Sequence, residues 1–382
     1  MNERNENIRY SLLVSLNTMM MCTGFSFITY YLLDAQISDK NIGLLIAISC
    51  TVAIFLQQLF GRMVDNGVAD GKKVLLIIAA VMSIAAGVVL FIDSGIVKAL
   101  IFGLLACLTL AMQPVLNSFT FFYQSKGLSV NYGVARGFGS LSFAVASVVI
   151  GFLTVHFGSL IVSLSYLIFC AVFYYVTMTM PAIGVTSRSR TSNSLQLGKF
   201  PAFMWMLIGL SLIMLFHNMV MTYFIHVVER VGGDSSNMGV ALGIAAIIEI
   251  PVLFLYTRMK EHISSKVFLT VSGIAFFTRA ALLVFSQSIL EIYLIQCIQL
   301  LDYGLMAASR VYYVDETVGK KYEATGQAYM TATETVGIVL GSTLGGFLMQ
   351  GSGIDTLLTV GAVICFVGML CMIYACQRRG NG

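Results

Sequence analysis

The stretch PAIGVTSRSRTSNSLQLGKF, residues 181–200, is the longest polar interval in the chain and falls near the middle of its 382 residues. Before it, apolar runs of about 20 residues separated by short polar clusters predict helices at 8–33, 41–64, 73–93, 95–123, 131–156 and 158–180. After it the pattern resumes at 201–228, 236–257, 266–286, 289–314, 322–349 and 354–377. The interval is therefore read as a linker at 181–200, joining a six-helix half at 1–180 to a second at 201–382. Composition agrees, because 58% hydrophobic and 10% charged residues, with a mean hydropathy of +0.88, exclude a soluble globule, which is about a quarter charged. A transmembrane barrel is excluded as well, since it would alternate apolar and polar residues. The expected fold class is an all-α membrane protein of twelve transmembrane helices, its 35 glycines serving helix contacts for which lipid gives no hydrophobic drive.

Charge placement gives the orientation. With this topology sixteen of the 22 Lys and Arg side chains lie on one side, among them Arg62, Lys72, Lys73, Lys126, Arg188, Lys320 and Arg378. Lys40, Lys98 and Arg230 lie opposite, and Arg136, Arg279 and Arg310 lie within spans. The positive-inside rule then puts both termini and the linker in the cytoplasm, with a cell (inner) membrane location expected. Met1 to Arg9 runs into an apolar segment with no evident cleavage site, so no removed signal peptide is expected. Eight cysteines sit singly without CxxC spacing, and four histidines form no ligand cluster; no metal site is expected. Neither GxxxxGK[ST] nor HExxH occurs, so ATP hydrolysis and metalloprotease chemistry have no support, and no enzyme activity is expected.

Ionisable residues at membrane depth carry most of the chemical information, because each costs about 2.5–3.5 kcal/mol at a helix centre on insertion scales. In the first half Arg136 stands in the run Ala135-Arg136-Gly137-Phe138-Gly139. In the second half Glu249, Arg279, Asp302, His217 and Glu334 come from five different predicted helices. Three carboxylates against one arginine leave excess negative charge, so at least one acid is expected to hold a proton and to exchange it as water access alternates. Gln299 and Asp302 share a face of the tenth helix, and Pro251 should kink the eighth beside Glu249. Gly337, Gly341 and Gly345 form a small-residue packing stripe on the eleventh helix. Arg310, at the end of the tenth, reads as an interfacial anchor.

Two patterns carry a family resemblance. The turn Gly61-Arg62-Met63-Val64-Asp65-Asn66-Gly67, followed by Lys72 and Lys73, resembles the loop signature of the major facilitator superfamily. The tenth-helix run from Leu290 to Asp302 is similar to that of its oligosaccharide/proton symporter branch, the lactose permease type, and to the related phenylpropionate permeases. The resemblance implies two halves built as a parallel repeat, and a conformational role for Gly61, Asp65, Lys72 and Lys73, with Gly61 allowing close helix approach. It implies proton coupling by Asp302, Arg279, Gln299 and Glu249. Substrate binding would fall to Arg136, Asn117, Phe143 and Glu249, and His217 and Glu334 would form a charge-reversed structural pair in direct contact. Asn117 replaces the acid that partners the binding arginine in that branch, which leaves the Arg136 guanidinium suited to fork onto substrate hydroxyls or a carboxylate. Phe143 offers a stacking face.

The expected function is a proton-coupled symporter importing a small polar organic solute, a saccharide or nucleoside before others. Alternatives are a permease for aromatic carboxylates such as phenylpropionate, and a drug/proton antiporter. The segment Gly137 to Thr154 lacks the glycine-proline pattern usual in the antiporters. No cofactor is expected beyond protons as coupling ion. The partners expected are the solute and the bilayer, with no nucleic acid, for a monomeric protein.

Overall fold

The structure, a computed structural model, describes residues 3–125, 132–181, 197–319 and 322–378. Residues 182–196 of the expected linker lie outside the described residues, as do Lys126, Arg188, Lys320 and Lys321. All regular structure among the described residues is helical. Helix α1 (Glu3–Met21) passes through a π-helical turn into α2 (Ile28–Asp34) with a 45° bend. There follow α3 (Asp39–Asp65), α4 (Gly71–Val88), α5 (Gly95–Ala111), α6 (Gln113–Ser125), α7 (Tyr132–Phe157) and α8 (Leu160–Thr179). Beyond the linker come α9 (Pro201–Thr222), α10 (Phe224–Arg230), α11 (Ser235–Ile248), α12 (Ile250–Lys260), α13 (Ser265–Phe285), α14 (Ile289–Gln296), α15 (Tyr303–Val318) and α16 (Glu323–Gln377).

Among the described residues ten candidate spans are long and apolar enough to cross a membrane, and α1 with α2 adds an eleventh as a bent pair. The last of the ten, Thr325–Gln377, is 53 residues long, about twice what a bilayer needs. It is interrupted at Gly353, whose φ of 77° and ψ of −176° glycine alone adopts readily, so it holds two of the expected spans. Phe55, Ile77, Ile84 and Phe91 in the first half and Phe285 in the second are each largely exposed, as suits contact with lipid and not with water. This is a multi-pass membrane protein.

Several expected spans are broken. The fourth divides at Met112, next to Pro114. The seventh divides at Tyr223. The eighth divides at Glu249, where Pro251 lacks the N–H that a continuous helix would use. In the tenth, α14 gives way to a 3-10 turn over Cys297–Leu300, and α15 restarts at Tyr303. Breaks at membrane depth need other partners for the freed backbone groups, and they place side chains where a regular helix would not.

The chain forms two compact units, Met1–Ser189 with Asp234–Ala246, and Arg190–Gly233 with Ile247–Gly382. In the first, α1 packs on α7 and α8, α4 on α8, and α3 on α5, around Tyr10, Leu13, Met82, Phe119, Tyr123, Tyr166 and Phe173. Segment 234–246, expected with the second half, sits on α7 in this unit. Small residues make that contact possible: a Cβ on Gly151 would lie 2.6 Å from the Ser235 carbonyl oxygen, and Thr154 Oγ1 donates to Ser235 Oγ at 3.0 Å.

In the second unit α16 packs along α9 and α13. The stripe Gly337, Gly341 and Gly345 faces α9, where added Cβ atoms would lie 2.5 Å from Met214 Cβ, 2.5 Å from the Leu215 carbonyl oxygen and 2.6 Å from the Tyr223 ring. Backbone cannot move aside as a flexible side chain can. Gly341→Val should therefore cost about 1–3 kcal/mol by overpacking, read as a lowered unfolding temperature of the purified protein. An unchanged unfolding temperature would show that α9 and α16 are not held this closely.

Candidate functional site

Arg279, on α13, is the centre of the second unit's polar cluster and is 1% exposed. Its Nε lies 3.1 Å from Asp302 Oδ2. Its Nη1 donates to Gln299 Oε1 at 2.8 Å, and its Nη2 donates to His217 Nδ1 at 2.8 Å. A guanidinium only donates, so Nδ1 must accept, and His217 is held neutral with its proton on Nε2. One planar cation thus orients an acid, an amide and an imidazole from three other segments, a task suited to arginine's fixed fork and not to lysine.

The helix breaks make this arrangement possible. Asp302 sits at the N-cap of α15, where its carboxylate accepts from the Tyr303 backbone N–H. It therefore meets both a backbone donor and the positive end of a half-helix. Its own carbonyl accepts the first helical bond of α15, from the Met306 N–H at 3.1 Å, and accepts as well from Ser272 Oγ on α13 at 2.7 Å. Glu249 likewise stands at the N-cap position of α12 but makes no side-chain cap bond there, and Gln299 Nε2 donates to its Oε1 at 2.6 Å. Gly304 brings the two broken segments close, since a Cβ there would lie 3.8 Å from Glu249 Cα. The structure thus gathers Asp302, Arg279, Gln299, Glu249 and His217 into one cluster.

The expected direct pair of His217 and Glu334 is not made. His217 is turned to Arg279, while Glu334 on α16 pairs with Arg310 of α15 at 2.7 Å. Tyr303 stands between them: its ring stacks on His217 at 5.1 Å and 21°, and its hydroxyl donates to Glu334 Oε1 at 3.2 Å. The physical reason is competition, because Arg310 is a permanent cation and a neutral histidine is not. Arg310 is correspondingly an ion-pair partner inside the unit and not an interfacial anchor. Sequence reasoning missed Tyr303, although it directly follows Asp302 and lies seven residues before Arg310, on one helical face with it.

In the first unit, Asn117 on α6 and Arg136 on α7 are exposed, and Phe143, two turns beyond Arg136, is partly buried. Arg136 is engaged in interactions of its own. Polar side chains exposed within spans are expected to border water rather than lipid. Gly61 makes no close approach, for a Cβ there would meet nothing within 4 Å. Asp65 ends α3, and its side chain lies outside the described residues. Lys73 is exposed, while Lys72 Nζ donates to the carbonyls of Met178 and Met180 at 2.8 and 2.6 Å. It thereby caps the end of α8, the favourable terminus for a cation. A buried carboxylate also passed unnoticed in the sequence: Glu6 accepts from Tyr123 Oη at 2.7 Å and from Arg9 Nη1 at 2.9 Å. Among the described residues no group of His, Cys, Asp and Glu could hold a metal ion.

Comparison with known proteins places this geometry in context. The model of the MFS_1 like family matches residues 20–359. A maltose permease of Geobacillus stearothermophilus is 21% identical over 365 residues, which cover 93% of this chain and 91% of the permease. Among solved structures, the nucleoside transporter NupG superposes with a TM-score of 0.80 at 16% identity, covering 99% of this chain and 100% of that one. A bacterial homologue of the human lysosomal transporter Spinster, in an inward-facing and occupied conformation, gives 0.71 at 14% identity, covering 97% and 96%. At these identities the structural likeness establishes the shared fold.

Proposed function

The chain belongs to the MFS_1 like family, and from that premise we propose that it is a proton-coupled symporter importing a small polar organic solute, a saccharide or a nucleoside. The observation that carries the proposal is the dry pair of Arg279 and Asp302 at a helix break. A structural ion pair needs no break, whereas a carboxyl that must exchange protons needs a place where a small movement changes its partners. Gln299 joins this pair to Glu249, so a proton on Asp302 and a ligand on Glu249 would act on the same amide. In this reading Asp302, Arg279 and Gln299 carry the coupling, with Glu249 shared between proton and substrate. Arg136, Asn117 and Phe143 supply hydrogen bonds and a stacking face to the substrate. The names of the maltose permease and the nucleoside transporter among its likenesses favour these two solute classes over an aromatic carboxylate or a drug. The protein would act as a monomer in the cell membrane, with both termini in the cytoplasm, the orientation that the Lys and Arg bias supports.

The test is to add sugars, nucleosides and aryl carboxylates singly to lightly buffered, deenergised vesicles holding the protein, while following external pH. Alkalinisation with one solute is the expected result and names the substrate. Acidification would replace symport by antiport, and solute entry without any pH change would remove the proton from the mechanism.

A further inference from the structure

The pair Glu334–Arg310 differs from Arg279–Asp302 in its access to water. The inner pair is 1% and 0% exposed, while the side chains of Arg310 and Glu334 are 21% and 29% exposed. Both pairs lie within spans. Charged atoms left exposed there are costly against hydrocarbon, so their open side is expected to border water. One residue touches both pairs. The Tyr303 backbone N–H donates to the Asp302 carboxylate, its hydroxyl donates to Glu334, and its ring stacks on the imidazole that Arg279 holds. The residue bonded to the Glu334 carboxylate is therefore the one whose backbone N–H serves the Asp302 carboxylate.

We propose that Glu334–Arg310 is a second, water-side charge pair of the coupling machinery, and that Tyr303 is the positioning residue linking its state to Asp302. This rests on the proton-coupling reading above and deepens it. A proton arriving from water meets Glu334 before it can meet Asp302. Neutralising Glu334 weakens its hold on both Arg310 and the Tyr303 hydroxyl, and a shifted Tyr303 alters the donor that Asp302 sees. The charged and titratable groups facing these two acids are His217 from α9, Glu249 before α12, Arg279 from α13, Tyr303 and Arg310 from α15, and the Cys365 thiol from α16.

The test needs no substrate. Purified full-length protein in lipid nanodiscs is titrated with pH while the infrared carbonyl band of protonated carboxyl groups is followed, and the component lost in Asp302→Asn identifies Asp302. Tyr303→Phe keeps the ring and the backbone N–H and removes only the hydroxyl; Glu334→Gln removes the charge. Each should move the midpoint of the Asp302 component by about half a pH unit or more, about a threefold change in its acid dissociation constant. Asp315→Asn, at an exposed acid on the same helix, should leave it in place. An unmoved midpoint in Glu334→Gln would make Tyr303 a packing residue and overturn the link, with coupling at Asp302 intact. If no component is lost in Asp302→Asn, both the link and the coupling assignment fall. Should Tyr303→Phe not yield folded protein, Glu334→Gln, at a partly exposed position, decides alone.

Discussion

Asp302→Asn should abolish proton-driven accumulation of the substrate while leaving substrate exchange across the membrane. Asparagine has the shape of a protonated aspartic acid, with one acceptor and one donor where the ionised acid has two acceptors. The variant should therefore resemble the proton-loaded protein permanently. Exchange, which needs only the loaded forms to interconvert, continues; net uptake, which needs the proton released, stops. The size of the effect follows from the driving force, because about 100 mV supplies about 2.3 kcal/mol per coupled charge, or about a 50-fold concentration ratio. Energised vesicles with the variant should take up no more substrate than vesicles lacking the protein, and preloaded vesicles should show counterflow at close to the parent rate. Accumulation at the parent level in Asp302→Asn would remove this carboxyl from the coupling step.

The sequence displayed the spans and the candidate acids, but not the backbone that arranges them. Apolar runs are set by the thickness of hydrocarbon, so twelve segments could be counted from composition alone. Pro251 announced the break at Glu249 through its missing N–H. The break before Asp302 carries no proline, and the residue is held there by Ser272 and Arg279 from another helix, tertiary contacts that no local pattern reveals. The same limit explains His217 and Glu334. Their positions suggested a pair, yet the outcome was decided by Arg310 and by the Tyr303 hydroxyl, which sequence separation does not rank. Asp234–Ala246 joined the first unit through glycine and serine contacts that likewise exist only once α7 and α11 are formed.

Replacement of Arg279 should be the most damaging change to stability in the second unit, and a second substitution should repair much of it. The guanidinium faces Asp302, Gln299 and His217 at 3.1, 2.8 and 2.8 Å, so Arg279→Leu leaves a buried carboxylate with no cation and an amide and imidazole without donors. Removing one member of a buried ion pair costs about 3–5 kcal/mol, most of it from the charge left behind, whereas removing both charges is often close to neutral. Arg279→Leu alone should therefore unfold at a markedly lower temperature than the parent. Arg279→Leu combined with Asp302→Asn should recover more than half of that loss, since the stranded charge is gone and only hydrogen bonds worth about 0.5–1.5 kcal/mol each remain unmade. Accumulation should stay absent in both. That separation of stability from transport is what a coupling pair requires: a pair present only to hold helices together would return both when its charges are removed together. If the double variant were no more stable than Arg279→Leu, the cost would lie in lost packing around the guanidinium stem, and the charge of Asp302 would not be what Arg279 is there to balance.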